Sequence, residues 1–102
     1  MSLSSDEKNA ILAFVDSVVP PGAQSVWLTG SRATGLAHAK SDWDVVAVHP
    51  DARSILKEGP IINQVGYILG GQKIELVIIA PGDWDHSGCY MTDCRAHGVR
   101  LR

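Results

Sequence analysis

No apolar run in this chain approaches the roughly 20 residues that a membrane-spanning helix needs, so a membrane protein of the helical kind is not expected. The first residues, with Ser4, Ser5, Asp6 and Glu7, lack the basic and apolar regions of a signal peptide, which makes the cytoplasm the expected compartment. Cysteine is sparse as well: Cys89 and Cys94 have no second pair near them, so neither a disulfide framework nor a metal knuckle is indicated. Excess positive charge is absent. A formal charge of -2 argues against a general nucleic-acid coat, although Arg95, Arg100 and Arg102 crowd the C-terminal end and could form a local basic patch. Internal repeats, low-complexity tracts and dividing linkers are all missing. The 102 residues are therefore expected to form a single domain spanning 1–102, with one modest core.

What is present is an alternation of short structural elements. Ser4–Val19 reads as a helix: Ser4 or Ser5 can cap it, Asp6 and Glu7 sit in its first turn, and Ile11, Leu12, Val15, Val18 and Val19 make an apolar stripe. Pro20, Pro21 and Gly22 end it. Ser25–Thr29 reads as a strand, broken by Gly30 and Ser31, and Trp43–His49 as a second, stopped by Pro50. Asp51–Glu58 suits a short helix closed by Gly59 and Pro60. Two strand-like runs, Gln64–Leu69 and Lys73–Ala80, flank Gly70-Gly71 and predict a tight antiparallel hairpin. Pro81 and Gly82 break the second run; Asp83–His97 could hold a last helix, and Val99–Leu101 a closing edge strand. The pattern predicts an α+β, two-layer domain with a small mixed sheet and helices packed on one side.

The chemistry concentrates between residues 30 and 45. Gly30 after a strand allows a sharp turn and a close ligand approach. Free N–H groups at the start of a following helical turn, with the Ser31 hydroxyl, would hold an anion, and Arg32 could steady phosphate charge. The alternative is a plain turn, since Gly and Ser are common turn formers. Asp42 and Asp44 lie one residue apart at the start of the next strand, so both carboxylates share a face while Trp43 takes the other. Two like charges so placed call for a cation between them, and hard carboxylate oxygens are what Mg²⁺ takes together with phosphate oxygens. Otherwise Asp42 caps a turn and Asp44 sits at a solvated strand edge. Glu75 interrupts the otherwise apolar run from Ile74 to Ile79. If that strand lies beside Trp43–His49, Glu75 faces the aspartate pair and completes a metal cluster; if it is an edge strand, Glu75 sits in water, paired with a lysine across the hairpin. Three carboxylates, two Mg²⁺ ions and a phosphate-holding turn suit in-line attack of a hydroxyl on the α-phosphate of an NTP, with the third acid doubling as general base.

Gly30-Ser31, ten intervening residues and then Asp42-x-Asp44 resemble the signature of the DNA polymerase β-like nucleotidyltransferase superfamily. The run from Gly30 to Gly35, with Ser41 ahead of the first aspartate, is similar to its minimal (MNT) branch of small stand-alone domains. The resemblance implies the polymerase β-like nucleotidyltransferase fold and transfer of a nucleoside monophosphate from an NTP, ATP in the first instance, to a hydroxyl on a protein or other acceptor. It assigns Gly30 and Ser31 to the phosphates and Asp42 and Asp44 to metal. It also implies a protein partner, a helical HEPN-type protein in a toxin–antitoxin arrangement; a homodimer is the other source of an acceptor-recognising surface.

Two positions depart from the pattern. Thr34 stands where many minimal members carry arginine, and the third acid is Glu75 where the family usually has aspartate. Glutamate keeps the charge but moves it outward by a methylene, and a misplacement of about 1 Å can cost roughly a hundredfold in rate. The alternative function is accordingly a catalytically weak or inactive nucleotide-binding domain that neutralises a partner by binding it. Trp27, Trp43 and Trp84 read as packing residues. His38, His49, His86 and His97 show no metal-ligand spacing.

Overall fold

A computed structural model describes residues 3–30, 32, 42–52, 63–84 and 96–102. Helix α1 spans Ser5–Val18, and its start is fixed by a reciprocal capping box. The Ser4 Oγ accepts from the Glu7 N–H at 3.1 Å, and Glu7 Oε1 accepts from the Ser4 N–H at 2.9 Å. Two of the donors that a helix start leaves unpaired are thus satisfied locally. At the other end Val19 turns to an extended conformation, and Pro20 and Pro21 cannot continue the ladder. Ile11 and Val15, one turn apart on the same stripe, are completely buried.

Strands β1 (Ser25–Thr29), β2 (Trp43–Val48), β3 (Asn63–Ile68), β4 (Gln72–Ile79) and β5 (Val99–Arg100) form one sheet in the order β3-β4-β2-β1-β5. Among the described residues, β2 and β4 run parallel and the other three pairs are antiparallel. The sheet is mixed and the class α+β, as expected. Strand alternation sorts the side chains into two faces. Val26, Leu28, Trp43, Val45, Ala47, Ile74, Leu76 and Ile78 pack with Ile11 and Val15 of α1. Each such buried aliphatic contributes roughly 1.5–3 kcal/mol. Gly66 lets α1 cross β3, because a Cβ there would run into the Phe14 ring. On the opposite face a smaller cluster joins Val46, Val48, Ile79 and Trp84, with Trp27 and Val77 against it. Trp84 belongs to α2 (Pro81–Trp84), and its ring centroid lies 5.4 Å from that of Trp27.

Several element ends differ from the sequence reading by a residue or two. The hairpin turns through Leu69, Gly70 and Gly71, with φ of 48°, 76° and 111°, and the Gly71 N–H donates to the Ile68 carbonyl at 3.2 Å. Leu69, expected to end a strand, is therefore already in the turn, and β4 begins at Gln72. Pro81 and Gly82, expected only to break β4, open the next helical turn. Proline suits a first helical position because its missing N–H has no partner there anyway, and the Trp84 N–H donates to the Ala80 carbonyl at 3.0 Å. Strand β2 stops at Val48, but the His49 N–H still bonds the Ile79 carbonyl at 2.9 Å. The buried His49 ring is held at both nitrogens. Nδ1 accepts from the Asp51 N–H at 3.0 Å, and Nε2 lies 3.2 Å from the Pro21 carbonyl oxygen. The body of the helix expected over 51–58 and most of that expected over 83–97 lie outside the described residues, as do both cysteines, Arg95, His38 and His86.

Of the three arginines near the C-terminal end, Arg100 and Arg102 are described and both are exposed. Arg102 makes a bidentate pair with Asp16 of α1, at 2.8 and 3.1 Å, and Arg100 lies over the Trp27 ring at 5.9 Å. Among the described residues, no helix is long and apolar enough to cross a membrane.

Candidate active site

The site begins where β1 ends. Thr29, Asp44 and Glu75 stand side by side on three neighbouring strands, because Thr29 pairs with Asp44 and Asp44 pairs with Glu75. Directly opposed residues point to one face, so all three side chains lie opposite α1. The Thr29 hydroxyl donates to the Asp44 carbonyl at 3.2 Å. Gly30 follows with φ of 71°, a conformation that favours glycine. A Cβ at Gly30 would come within 2.5 Å of Asp44 Oδ2, so the turn and the carboxylate touch across a space only a hydrogen can fill.

Asp42 reaches the same face from just ahead of β2. Lys73 connects it to Glu75: the ammonium is 3.7 Å from Asp42 Oδ2 and 3.2 Å from Glu75 Oε1. Burial, followed by the nearby charges of Glu75 and Asp42, pushes the Asp44 carboxyl above the usual carboxylate range, with Lys73 pulling the other way. The Glu75 hydrogen bond, then the Asp42 charge, holds the Lys73 ammonium above the ordinary lysine range. Among the described residues, three carboxylates against one ammonium leave an excess of negative charge beside the Gly30 turn. That arrangement attracts cations and supplies hard oxygen donors to a divalent ion. Among the described residues, however, no three His, Cys, Asp or Glu side chains converge closely enough to hold one metal ion as they stand. Lys73 occupies the space between two of the acids.

Of the residues expected at the site, the structure gathers Gly30, Asp42, Asp44 and Glu75. The expected condition for Glu75, that its strand lie beside β2, is met in register. Arg32 lies with its guanidinium 4.2 Å from the centre of the Trp43 ring, a cation–π contact. Trp43 itself is almost wholly buried in the α1 core, and its Nε1–H donates to Gln72 Oε1 at 2.7 Å. Ser31, Thr34, Gly35 and Ser41 lie outside the described residues. Two members of the site were not singled out in the sequence, Thr29 and Lys73. Lys73 was visible in principle, since it precedes Glu75 by two residues on a strand and so shares its face. Thr29 became legible only once the register was known.

A family model described as a nucleotidyltransferase domain matches residues 9–86, the greater part of the chain. That interval contains Asp42, Asp44, Glu75, Lys73 and the Gly30 turn. No curated protein matches the chain.

Proposed function

The chain belongs to the nucleotidyltransferase domain family, and from that premise we propose that it moves a nucleoside monophosphate from an NTP, ATP in the first instance, to a hydroxyl on a protein or other acceptor. One observation carries this reading: the in-register pairing of Asp44 with Glu75, directly beside the close-approach turn at Gly30. Asp42, Asp44 and Glu75 are the residues that would hold Mg²⁺, whose ions when bound supply Lewis acidity at the phosphate oxygens. Their donor set fits a divalent ion in chemistry and charge. The amides and hydroxyl at Gly30 and Ser31 would hold the phosphates, and Arg32 would add positive charge if it left Trp43. The acceptor oxygen forms a bond to the α-phosphorus as the bond to pyrophosphate breaks. Its proton passes to Glu75, the third acid, and then to water.

The acceptor surface lies with a partner in this reading. A helical HEPN-type protein, in a toxin–antitoxin arrangement in the cytoplasm, is the first choice and a second copy of the chain the other. One feature favours a non-catalytic alternative, in which the domain binds nucleotide and neutralises its partner by contact. The third acid is a glutamate tied to Lys73, not a shorter aspartate. The deciding experiment follows α-³²P label from each of the four NTPs, with Mg²⁺, into lysate of the source cell. Label that appears with the wild type and not with an Asp42→Asn/Asp44→Asn double variant supports transfer. Intact nucleotide binding with no label anywhere supports the alternative.

A further inference from the structure

Lys73 has two ion-pair partners among the described residues, and both are candidate metal ligands. The fold enforces this. Strand alternation sets Lys73 and Glu75 on one face of β4, and the parallel register that pairs Trp43 with Ile74 brings Asp42 level with Lys73. The ammonium thus sits between carboxylates that would otherwise repel one another across neighbouring strands. Its side chain has a relative accessibility of 41%, so the ion pair is open to solvent. A structural ion pair that matters to the core is normally desolvated; this one is not.

We propose that Lys73 is an internal counter-ion of the acid site: it takes the cation's place between Asp42 and Glu75, and a divalent ion binds only by displacing it. This rests on the metal reading given above and adds a residue that sets the metal threshold without being a ligand. An exposed pair of this kind is weak, so displacement is affordable and the effect on affinity is about tenfold. The ammonium also keeps the empty site from accumulating three unopposed charges. A site without it would bind metal at lower concentration, and its acids would spread further apart when empty.

The test uses the full chain and Mn²⁺ alone, without nucleotide, with free Mn²⁺ counted by electron paramagnetic resonance. Wild type, Lys73→Met, Lys73→Arg and the Asp42→Asn/Asp44→Asn double variant are titrated in parallel after circular dichroism confirms their fold. The expected result is about tenfold tighter binding by Lys73→Met, wild-type affinity for Lys73→Arg, and none for the double variant. Should Lys73→Met not fold, Lys73→Gln carries the same expectation. Equal or weaker binding by the neutral variant, with the double variant still silent, overturns the counter-ion role and leaves the metal reading intact. Absence of Mn²⁺ binding in the wild type and the neutral variant alike overturns both.

Discussion

One face of the β2–β4 pair is charged at one end and apolar at the other. Asp44 stands opposite Glu75; two residues further along Val46 stands opposite Val77, and then Val48 opposite Ile79. The backbone pairing is the same at each step, so pairing alone does not decide where chemistry occurs. The difference is what covers the face. Over Val46, Val48 and Ile79 lies Trp84 of α2, and water is excluded. Beside Asp44 and Glu75 stands a cation in place of an apolar side chain: the Lys73 ammonium is 3.2 Å from Glu75 Oε1. A carboxylate is tolerable at the open end because it keeps part of its hydration, and useful there because it keeps only part.

Moving the charge along the strand breaks this division most severely. Val46→Asp would bury an unpaired carboxylate among Val48, Ile79 and Trp84, at a cost of about 3–5 kcal/mol. That is a large share of a small domain's stability, and urea unfolding should show a collapsed midpoint. Removing the charge where it belongs should do the opposite. Asp44→Asn is expected to lower nucleotidyl transfer on the order of a thousandfold while leaving the melting temperature unchanged or raised. Gly30→Ala forces a Cβ against Asp44 and strains a positive φ. It should reduce transfer by about a hundredfold and stability by about 1 kcal/mol, read from label transfer and thermal melting together.

The pH dependence sharpens the same contrast. The Asp44 carboxyl is raised from 3.8 by burial and its acidic neighbours, so the folded state keeps this proton where the unfolded chain has lost it. Stability from this group is therefore greatest at low pH and declines as pH rises from 3.8 through the raised folded-state value. Without divalent metal, wild type should lose stability relative to Asp44→Asn across that window and run parallel to it above; paired melting curves at stepped pH test this. The smallest effect belongs to Arg102→Gln. Its Asp16 pair is exposed on both sides, and its loss should leave the melting temperature close to that of wild type.

Local signals carried much of the fold. Ser4 or Ser5, followed by the first-turn acids Asp6 and Glu7, announced the helix start, and the structure assigns the cap to Ser4. Ser25–Thr29 was bounded by Gly22 and Gly30, and two β-rich runs around a Gly pair gave the hairpin. The ends that slipped have different causes: Leu69 takes a positive φ that its residue type disfavours, whereas Pro81, which ends a strand, equally suits the first position of a helical turn. For the site, the acids were readable because alternation on one strand aligns Asp42 with Asp44. Glu75 was readable as a charge in an apolar run. The contacts that join them were not, since they depend on register between strands far apart in sequence. The closeness of Gly30 to Asp44 and the reach of Lys73 to Asp42 belong to that class.

The parallel pairing of β2 with β4 also sets an order of events. The hairpin of β3 and β4 closes over a turn of a few residues and should form in about 1–10 μs. Asp44 and Glu75 are separated by 31 positions (75 minus 44) and meet only when β4, already carrying β3, docks against β2. Non-local parallel pairing of this kind is slow, because loop closure precedes its reward. The full acid cluster therefore exists only after β4 has docked on β2, and until then Glu75 is held apart from the two aspartates. Cation binding followed during refolding would report the docking of the hairpin on β2, not the closing of the hairpin itself.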